Sequence, residues 1–140
     1  MTISGTKLKM TQIFKGAERI PVSVIRISQQ EQLAEFKEGD LVKVTGITKG
    51  HGFQGVVKRY SFAGGPKTHG QKNRHRAPGS IGATAPQRVV PGKKMAGRMG
   101  GAKKTIRNLE VVTIDKEKSL VLLRGSVPGN VRGKIKISKA

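Results

Sequence analysis

All eight acidic residues of this 140-residue chain lie outside residues 41–109. Asp40 is the last acid before that window and Glu110 is the first after it, whereas the window contains fifteen of the 28 lysines and arginines. It also contains all three histidines, thirteen of the nineteen glycines and four of the six prolines. The window therefore carries +15 of the formal charge of +20, and the flanks together carry +5. Because solvated surfaces normally intersperse both signs, the window is predicted to bind a polyanion, foremost a nucleic acid.

The two flanks have the patterns of β-strands. Alternating or largely apolar runs occur at IPVSVIRIS (20–28), DLVKVTGIT (40–48), LEVVTID (109–115), SLVLLRG (119–125) and the closing GKIKISKA. The third and fourth runs, joined by KEK, are typical of a hairpin. Between residues 28 and 39, QQEQLAEFKE is the one candidate helical turn, with Leu33 and Phe36 three positions apart. Since a closed sheet removes exposed strand edges, five or six short strands predict an all-β chain with a small closed sheet.

The apolar residues that could fill this sheet lie almost entirely in the flanks. Residues 1–47 and 105–140 are therefore predicted to form one discontinuous body, from which the central window departs. The window has no sustained period of 2 or 3.6, and GVVKRYSF (55–62) is its one candidate strand.

Composition excludes several classes of protein. The chain has no cysteine, which excludes a disulfide framework and a thiolate zinc site. The opening MTISGTKLKMTQIF lacks the continuous apolar run of a signal peptide. No segment approaches the roughly 18 apolar residues of a membrane span. The sequence thus predicts a cytoplasmic protein without a membrane contact.

Glycines in GHGFQG offer an alternative interpretation. Gly50, Gly52 and Gly55 have the spacing of dinucleotide-binding loops and of the phosphate-covering loop of protein kinases. However, VVKRYSF is not predicted to be helical, and no acid follows before Glu110 to bind a ribose. KGHGF also resembles the aromatic signature of a four-stranded RNA-binding domain, but the chain has one tyrosine, four phenylalanines and no tryptophan. A nucleotide or other small-molecule site is disfavoured, and Phe53 is expected to pack locally.

The histidines offer a second alternative. His51, His69 and His75 would form a metal site only if three imidazoles converged from a flexible loop without a cysteine or carboxylate. They are interpreted instead as donors in a basic surface, and no metal, cofactor or catalytic group is predicted. A disordered basic tail is disfavoured, because tails are usually terminal and low in complexity. Glycine lets the backbone approach another surface and proline stiffens its path, which suits a segment that threads between RNA helices.

Five long strings follow one another in a distinctive order across residues 41–129. They are VTGITKGHGFQGVVKRYSFAGGPKTHG, HRAPGSIG, GKKMAGRMG, LEVVTID and LVLLRGSVPG. In these strings and their order the chain resembles the universal L-three family (uL-three) of large-subunit ribosomal proteins, in its bacterial form. The opening GTKLKMTQIF is similar to the family's start, with Lys9 where a glycine is usual.

This resemblance implies both a fold and a function. It implies a six-stranded translation-factor-type β-barrel on the surface of the large subunit, made by residues 1–47 and 105–140. Residues 48–104 would be a long irregular basic extension that penetrates the rRNA and points its tip toward the peptidyl transferase centre. The implied partners are 23S-type large-subunit rRNA and neighbouring large-subunit ribosomal proteins. The implied role is structural, in early subunit assembly and in the cytoplasmic ribosome, without enzymatic activity.

The chain departs from the family in two places. Only QQEQLAEFKEG separates two strands between which family members carry a substantial, partly helical segment, so a minimal or shortened form is expected. After GSIG, ATAPQRVVPGKK places Ala83 where some bacterial members have a methylated glutamine. No methylation is therefore predicted.

The interface prediction comprises cations of the window and a tip. The predicted rRNA-binding residues are Lys49, His51, Lys58, Arg59, Lys67, His69, Lys72, Arg74, His75, Arg76, Arg88, Lys93, Lys94, Arg98, Lys103 and Lys104. The predicted tip near the peptidyl transferase centre comprises Gly79, Ser80, Ile81, Gly82, Ala83, Thr84 and Gln87. Met95 and Met99 are expected to pack against Ile81 or nucleotide sugars. The rival functions are a nucleic-acid compaction protein that binds any duplex, and a nucleotide-binding enzyme.

Overall fold

The computed structural model describes residues 2–29, 33–34 and 36–140. Its elements in chain order are β1 (Thr2–Lys15), β2 (Glu18–Ile27), β3 (Leu41–Ile47), β4 (Phe53–Gln54), α1 (Val56–Tyr60), β5 (Gly97–Arg98), β6 (Lys103–Asp115), β7 (Leu120–Arg124) and β8 (Lys134–Lys139). The predicted all-β class is confirmed. Within the described residues, no helix has the length and apolar character needed to cross a membrane.

Two compact units make up the chain. Unit 1 comprises Met1–Lys49 with Gly101–Ala140, and unit 2 comprises Gly50–Gly100. Unit 1 contains the six long strands, whereas unit 2 contains α1 and the two-residue strands β4 and β5.

The long strands of unit 1 form a closed barrel in the order β1-β2-β7-β6-β3-β8. Every neighbouring pair is antiparallel. The predicted hairpin is confirmed, with Asp115 of β6 opposite Leu120 of β7. β6 begins well before the predicted LEVVTID run, because Lys104 and Thr105 already pair with Gly46 and Thr45 of β3.

Alternate side chains of these strands fill the barrel. Val42 and Val44 of β3 are fully buried, as are Ile135 and Ile137 of β8 to within 2%, because successive side chains of a strand point to opposite faces. Full burial of one such side chain stabilises the fold by about 1.5–3 kcal/mol. The core cluster comprises Ile3, Ile25, Ile27, Leu33, Phe36, Val42, Val44, Val111, Val121, Leu123, Val127, Ile135 and Ile137.

β1 is the longest strand, yet its apolar pattern does not predict it, because two of its inward positions hold Gly5 and Lys7. A Cβ atom added to Gly5 would lie 2.9 Å from a backbone oxygen of β2, so a larger residue would force the strands apart. Lys7 is only 8% exposed, and its Nζ donates to Val127 O at 2.8 Å and to Gly129 O at 3.0 Å. Burial, and then the charge of Lys49, lowers the pKa of Lys7 below its ordinary value of 10.5.

The predicted helical turn contributes to the unit 1 core through two side chains. Leu33 and Phe36 are 2% and 6% exposed and belong to the core cluster. Leu33 and Ala34 have 3-10 conformation. The remaining central part of the prediction, residues 30–32 and 35, lies outside the described residues.

Unit 2 contains a short helix where the sequence predicts a strand. Arg59 N donates to Gly55 O and Ser61 N donates to Val57 O, each at 2.9 Å, which are the i to i+4 bonds of an α-helix. Ser61 ends the helix in the left-handed region, with φ 60°. The strand prediction for residues 55–62 is therefore wrong, because tertiary context outweighs the strand preference of adjacent valines. Val56 at the start of α1 is the buried hydrophobic residue of unit 2.

Candidate nucleic-acid interface

The predicted rRNA-binding residues are divided between the two units. Lys49, Lys103 and Lys104 belong to unit 1, and the other thirteen belong to unit 2. Fourteen of the sixteen are exposed, whereas Arg59 and His75 are partly buried. The four ion pairs formed among the described residues all lie in unit 1, and unit 2 has no acid. The cations of unit 2 therefore have no counter-charge within their own unit.

Arg59 organises unit 2 as well as contributing charge. Its Nη1 donates to Met95 O at 2.7 Å, and its Cζ lies 5.0 Å from the centroid of the Tyr60 ring. A Cβ atom added to Gly97 would lie 2.7 Å from this Nη1, so the guanidinium occupies the space beside the backbone of β5. Arg59 thus connects α1 with the segment that leads into β5.

A close backbone contact holds the loop after α1. Gly65 N donates to His75 O at 2.9 Å, and the His75 Nδ1 lies 3.1 Å from Pro66 O, which accepts its hydrogen bond. A Cβ atom added to Gly64, which has φ +79°, would overlap the His75 carbonyl oxygen, and one added to Gly65 would lie 2.6 Å from Arg74 O. The two glycines are therefore required by a specific packing, which a low-complexity tail lacks.

The predicted tip lies in a long exposed segment. Every residue from 78 to 96 is exposed, and Ser80 Oγ donates to Gly82 O at 2.8 Å. Ile81 and Met95 line the same cavity of about 440 Å³ in unit 2, and the packing of Met95 against Ile81 or nucleotide sugars stays a prediction. Met99 directly follows β5, and its N–H donates to Gly52 O at 2.9 Å.

The glycine loop GHGFQG has a different setting from the one predicted. α1 begins at Val56, directly after Gly55, so the prediction that no helix follows the loop is wrong. The helix has only five residues, and a Cβ atom added at Gly50, Gly52 or Gly55 would meet no described atom within 4 Å. Gly55 lines the cavity of about 440 Å³ that Ile81 and Met95 also line, but that cavity has no carboxylate to bind a ribose, and a nucleotide site stays disfavoured.

Phe53 and two of the three histidines are exposed on unit 2. Phe53 is 77% exposed, so the expectation that it packs locally is wrong. His51 and His69 are exposed. In the part of the chain that the structure describes, no three His, Cys, Asp or Glu residues cluster closely enough to hold a metal ion.

Unit 1 presents a basic face, which we define as Lys103, Lys134 and Lys136. Their described partners across the strands are neutral: Lys136 lies between Ser4 and Thr45, Lys134 opposite Thr6 and Lys103 opposite Ile47. A cavity of about 490 Å³ is lined by Ser4, Gly5, Thr6, Ser28, Thr45, Gly46, Ile47, Lys103, Lys134, Ile135 and Lys136. Clustered lysines with neighbouring hydroxyl groups match the groups that contact a phosphate backbone.

Acids are concentrated elsewhere on unit 1. Arg124 donates to Glu18 at 3.1 Å and to Glu110 at 3.2 Å, and Lys139 pairs with Asp40 at 3.2 Å. Among the described residues, the barrel surface therefore has a region of paired charges and a separate group of lysines without an ion pair. Lys134 and Lys136 are absent from the predicted site, although the alternation in GKIKISK places them on the outer face of the strand.

Comparison with known proteins identifies the family. A sequence model of the family described as Ribosomal protein L3 matches residues 12–120, which is most of the chain. The chain belongs to the ribosomal protein L3 family. The resemblance inferred from the sequence is thereby confirmed.

Two L3 relatives illustrate the similarity. The large ribosomal subunit protein uL3 of Dehalococcoides mccartyi strain CBDB1 is 49% identical over 119 residues, which cover 84% of this chain and 58% of that protein. The large ribosomal subunit protein uL3 of Bacillus mycoides strain KBAB4 is 48% identical over 124 residues, covering 84% and 59% respectively. The chain therefore spans less than two thirds of the length of these curated relatives.

Proposed function

We propose that the chain is a structural, non-catalytic constituent of the large ribosomal subunit that binds large-subunit rRNA. Membership of the L3 family supports the place in the ribosome, and thus the cytoplasm as its location. Neighbouring large-subunit ribosomal proteins are the other proposed partners.

The observation that carries this proposal is the composition of unit 2. Its 51 residues contain ten lysines and arginines, no acid and one buried hydrophobic side chain. Like charges that lack internal partners repel one another, and a polyanion relieves that repulsion. Lysine and arginine that neutralise phosphates also release condensed counterions, which supplies much of the affinity for nucleic acids.

The two units have different proposed roles. Unit 1 would be the barrel of translation-factor type that lies on the subunit surface, with the basic face directed at rRNA. Unit 2 would be the extension that penetrates the rRNA and takes part in early subunit assembly. The unit bounds of 50–100 and the acid-free window support this division.

The proposed tip comprises residues 79–84 and Gln87, extending toward the peptidyl transferase centre. Support comes from its exposure: Ile81 is 46% exposed, and Val90 further along the same segment is 59% exposed. Apolar side chains in water are unfavourable at about 25 cal/mol per Å². Contacts with nucleotide sugars and bases would cover them.

Sedimentation distinguishes the proposed ribosomal role from that of a nucleic-acid compaction protein that binds any duplex. Tagged protein expressed in a bacterium should sediment with large subunits at moderate salt, and recovery only on chromosomal DNA would refute the ribosomal role. Salt dependence alone does not discriminate, because either candidate gives a slope of roughly −0.7 to −0.9 per phosphate neutralised. Isothermal titration with nucleotides tests the alternative of a nucleotide-binding enzyme, and we expect no heat of binding.

Limited proteolysis tests the division of roles. Trypsin should cleave the free protein between Lys49 and Lys104 while the rest of the chain resists, and added 23S-type rRNA should protect that segment. Equal resistance throughout the free protein would contradict the assignment of unit 2 as an RNA-dependent extension.

A further inference from the structure

Phe53 has the most exposed side chain among the large hydrophobic residues that the structure describes. It is 77% exposed, compared with 46% for Ile81 and 38% for Met95 in the same unit. An isolated exposed apolar residue is ordinary in a protein surface. Phe53, however, lies in a unit that has no acid, so a polyanion could approach it without meeting a carboxylate of that unit.

The immediate surroundings of Phe53 are open. Glycines precede and follow it at positions 52 and 55, and a Cβ atom added at either would meet no described atom within 4 Å. Across the two-stranded sheet Phe53 lies opposite Arg98, which is exposed. Directly opposite residues of antiparallel strands share one face of the sheet, so an apolar ring and a guanidinium are presented together.

The other two aromatic residues of unit 2 are already engaged. Arg59 Cζ and Lys94 Nζ lie 5.0 Å and 5.6 Å from the centroid of the Tyr60 ring. The Tyr60 and Phe62 rings are 6.3 Å apart, and both residues are partly buried. Phe53 is therefore the aromatic group of unit 2 that is free to contact a partner.

Phe14 in unit 1 provides an internal comparison. It is 69% exposed and lies opposite Arg19 on β2, so its local arrangement is similar. However, unit 1 contains all eight acids of the chain, whereas unit 2 has none. Charge, rather than exposure, separates the two phenylalanines.

We propose that Phe53 is a stacking site for one unpaired nucleobase of large-subunit rRNA, with Arg98 binding the adjoining phosphate or base edge. Every base has a π-face that stacks on an aromatic ring, and an arginine fork suits phosphate oxygens. This inference rests on the proposed function, because it names the RNA element that one position of unit 2 recognises. It also requires that the base be unstacked, since a paired helix offers no free base face.

Tryptophan fluorescence tests the proposal directly, because the chain has no tryptophan. Phe53→Trp and, as the matched control, Phe14→Trp are each titrated with a 23S-type rRNA transcript and with a fully paired RNA duplex. Binding is followed separately by fluorescence anisotropy of a dye-labelled RNA. We expect the transcript to quench Trp at position 53 and to lower its accessibility to acrylamide about fivefold, with no such change at position 14.

Affinity provides a second measurement. Phe53→Leu should weaken transcript binding about tenfold, equivalent to about 1.4 kcal/mol, whereas Phe53→Tyr should retain it and Phe14→Leu should change it less than twofold. Because Phe53 is exposed, the thermal unfolding of each variant should match that of the unaltered protein.

The outcomes separate this inference from the proposed function. If the transcript binds but Trp at position 53 stays accessible to acrylamide, or if Phe53→Leu binds normally, the stacking site is overturned while rRNA binding stands. Equal protection of position 53 by the paired duplex, or of positions 53 and 14 by the transcript, also overturns it. If the unaltered protein does not bind the transcript, the proposed function fails and the stacking site fails with it.

Discussion

Different interactions hold unit 1 and unit 2 in their folded conformations. Among the described residues, unit 1 contains sixteen of the seventeen buried hydrophobic side chains, and unit 2 contains Val56 alone. Unit 1 also closes its sheet, so that the hydrogen-bonding groups of its strands have partners around the barrel. Unit 2 relies on short backbone contacts, such as those of Gly64 and Gly65 with His75. A small hydrophobic core thus stabilises one unit but not the other.

The same contrast applies to charge. Both units have a net charge of +10, but unit 1 reaches it with eighteen cations and all eight acids over 89 residues, and unit 2 with ten cations over 51. Ion pairs such as Arg124 with Glu18 balance part of the charge locally in unit 1. Unit 2 has no carboxylate that could balance its charge in this way. Unit 1 therefore has both a hydrophobic core and internal ion pairs, whereas unit 2 has one buried hydrophobic side chain and no ion pair.

Removing a core side chain from unit 1 should have the largest effect. Leu123 is fully buried, and a buried Leu→Ala change typically costs about 2–5 kcal/mol of unfolding free energy. Leu123→Ala should therefore lower the urea midpoint of the barrel, followed by far-ultraviolet circular dichroism. The matched change in unit 2, Val56→Ala, should leave that midpoint unchanged. An equal fall of the midpoint in the two variants would show that the unit 2 side chain contributes to the barrel as much as a core residue of unit 1.

Within unit 2, the largest effect should come from a backbone contact. Gly64→Ala places a side chain at φ +79° against the His75 carbonyl and should cost about 2–3 kcal/mol of local stability. Gly70 has a similar φ of +75° but open space around it, so Gly70→Ala should cost only about 1 kcal/mol. Hydrogen exchange of the Gly65 N–H, which donates to His75 O, measures the difference. Indistinguishable exchange in the two variants would show that backbone conformation alone matters there.

The strands that the sequence predicts are those whose inward positions are apolar. Val42 and Val44, and likewise Ile135 and Ile137, alternate with polar neighbours, and burial follows from that alternation. β1 escapes prediction because Lys7 is an inward residue, and its acceptors, Val127 O and Gly129 O, lie more than 100 residues away along the chain. Local patterns carry no information about such distant partners.

The charge of the candidate interface is predictable for a similar reason. An acid-free window is a property of composition, so it needs no knowledge of the fold. The structural role of Arg59 is not predictable, because its acceptor on Met95 is 36 residues away. The exposure of Phe53 depends on a two-residue strand pairing with Arg98, which is too short to leave a periodic signal.

The basic face predicts that unit 1, too, binds rRNA. The double change Lys134→Ala with Lys136→Ala should lower affinity for 23S-type rRNA several-fold. It should also reduce the magnitude of the salt slope by about 1.4–1.8, if each lysine neutralises one phosphate. Filter binding at several salt concentrations between about 50 and 300 mM measures the slope.

A control of equal charge tests whether position matters. Lys116 and Lys118 are exposed in the turn between β6 and β7, beside Asp115, with which Lys118 pairs at 3.9 Å. Their double change to alanine should leave the salt slope unchanged. Equal effects of the two pairs would indicate that unit 1 responds to net charge and has no RNA-binding face.

The smallest expected effect concerns the stability of the protein at low pH. Only unit 1 has carboxylates that can take up protons there. Asp40 Oδ2 accepts a hydrogen bond from Lys37 N at 3.0 Å and pairs with Lys139 at 3.2 Å. The backbone hydrogen bond first, and the Lys139 hydrogen bond second, lower the pKa of Asp40 below its ordinary value of 3.8. A carboxyl group whose pKa is lower in the folded than in the unfolded protein stabilises the fold at any pH above its unfolded-state pKa. This contribution is lost as the pH falls through its folded-state pKa.

Asp40→Asn should therefore flatten the decline of unfolding free energy below about pH 4, measured by urea denaturation. Glu117→Gln, at an exposed acid without an ion pair among the described residues, should keep the original decline. If Asp40→Asn keeps it too, the carboxylate does not stabilise the turn before β3, and the acid response of unit 1 arises elsewhere on the barrel.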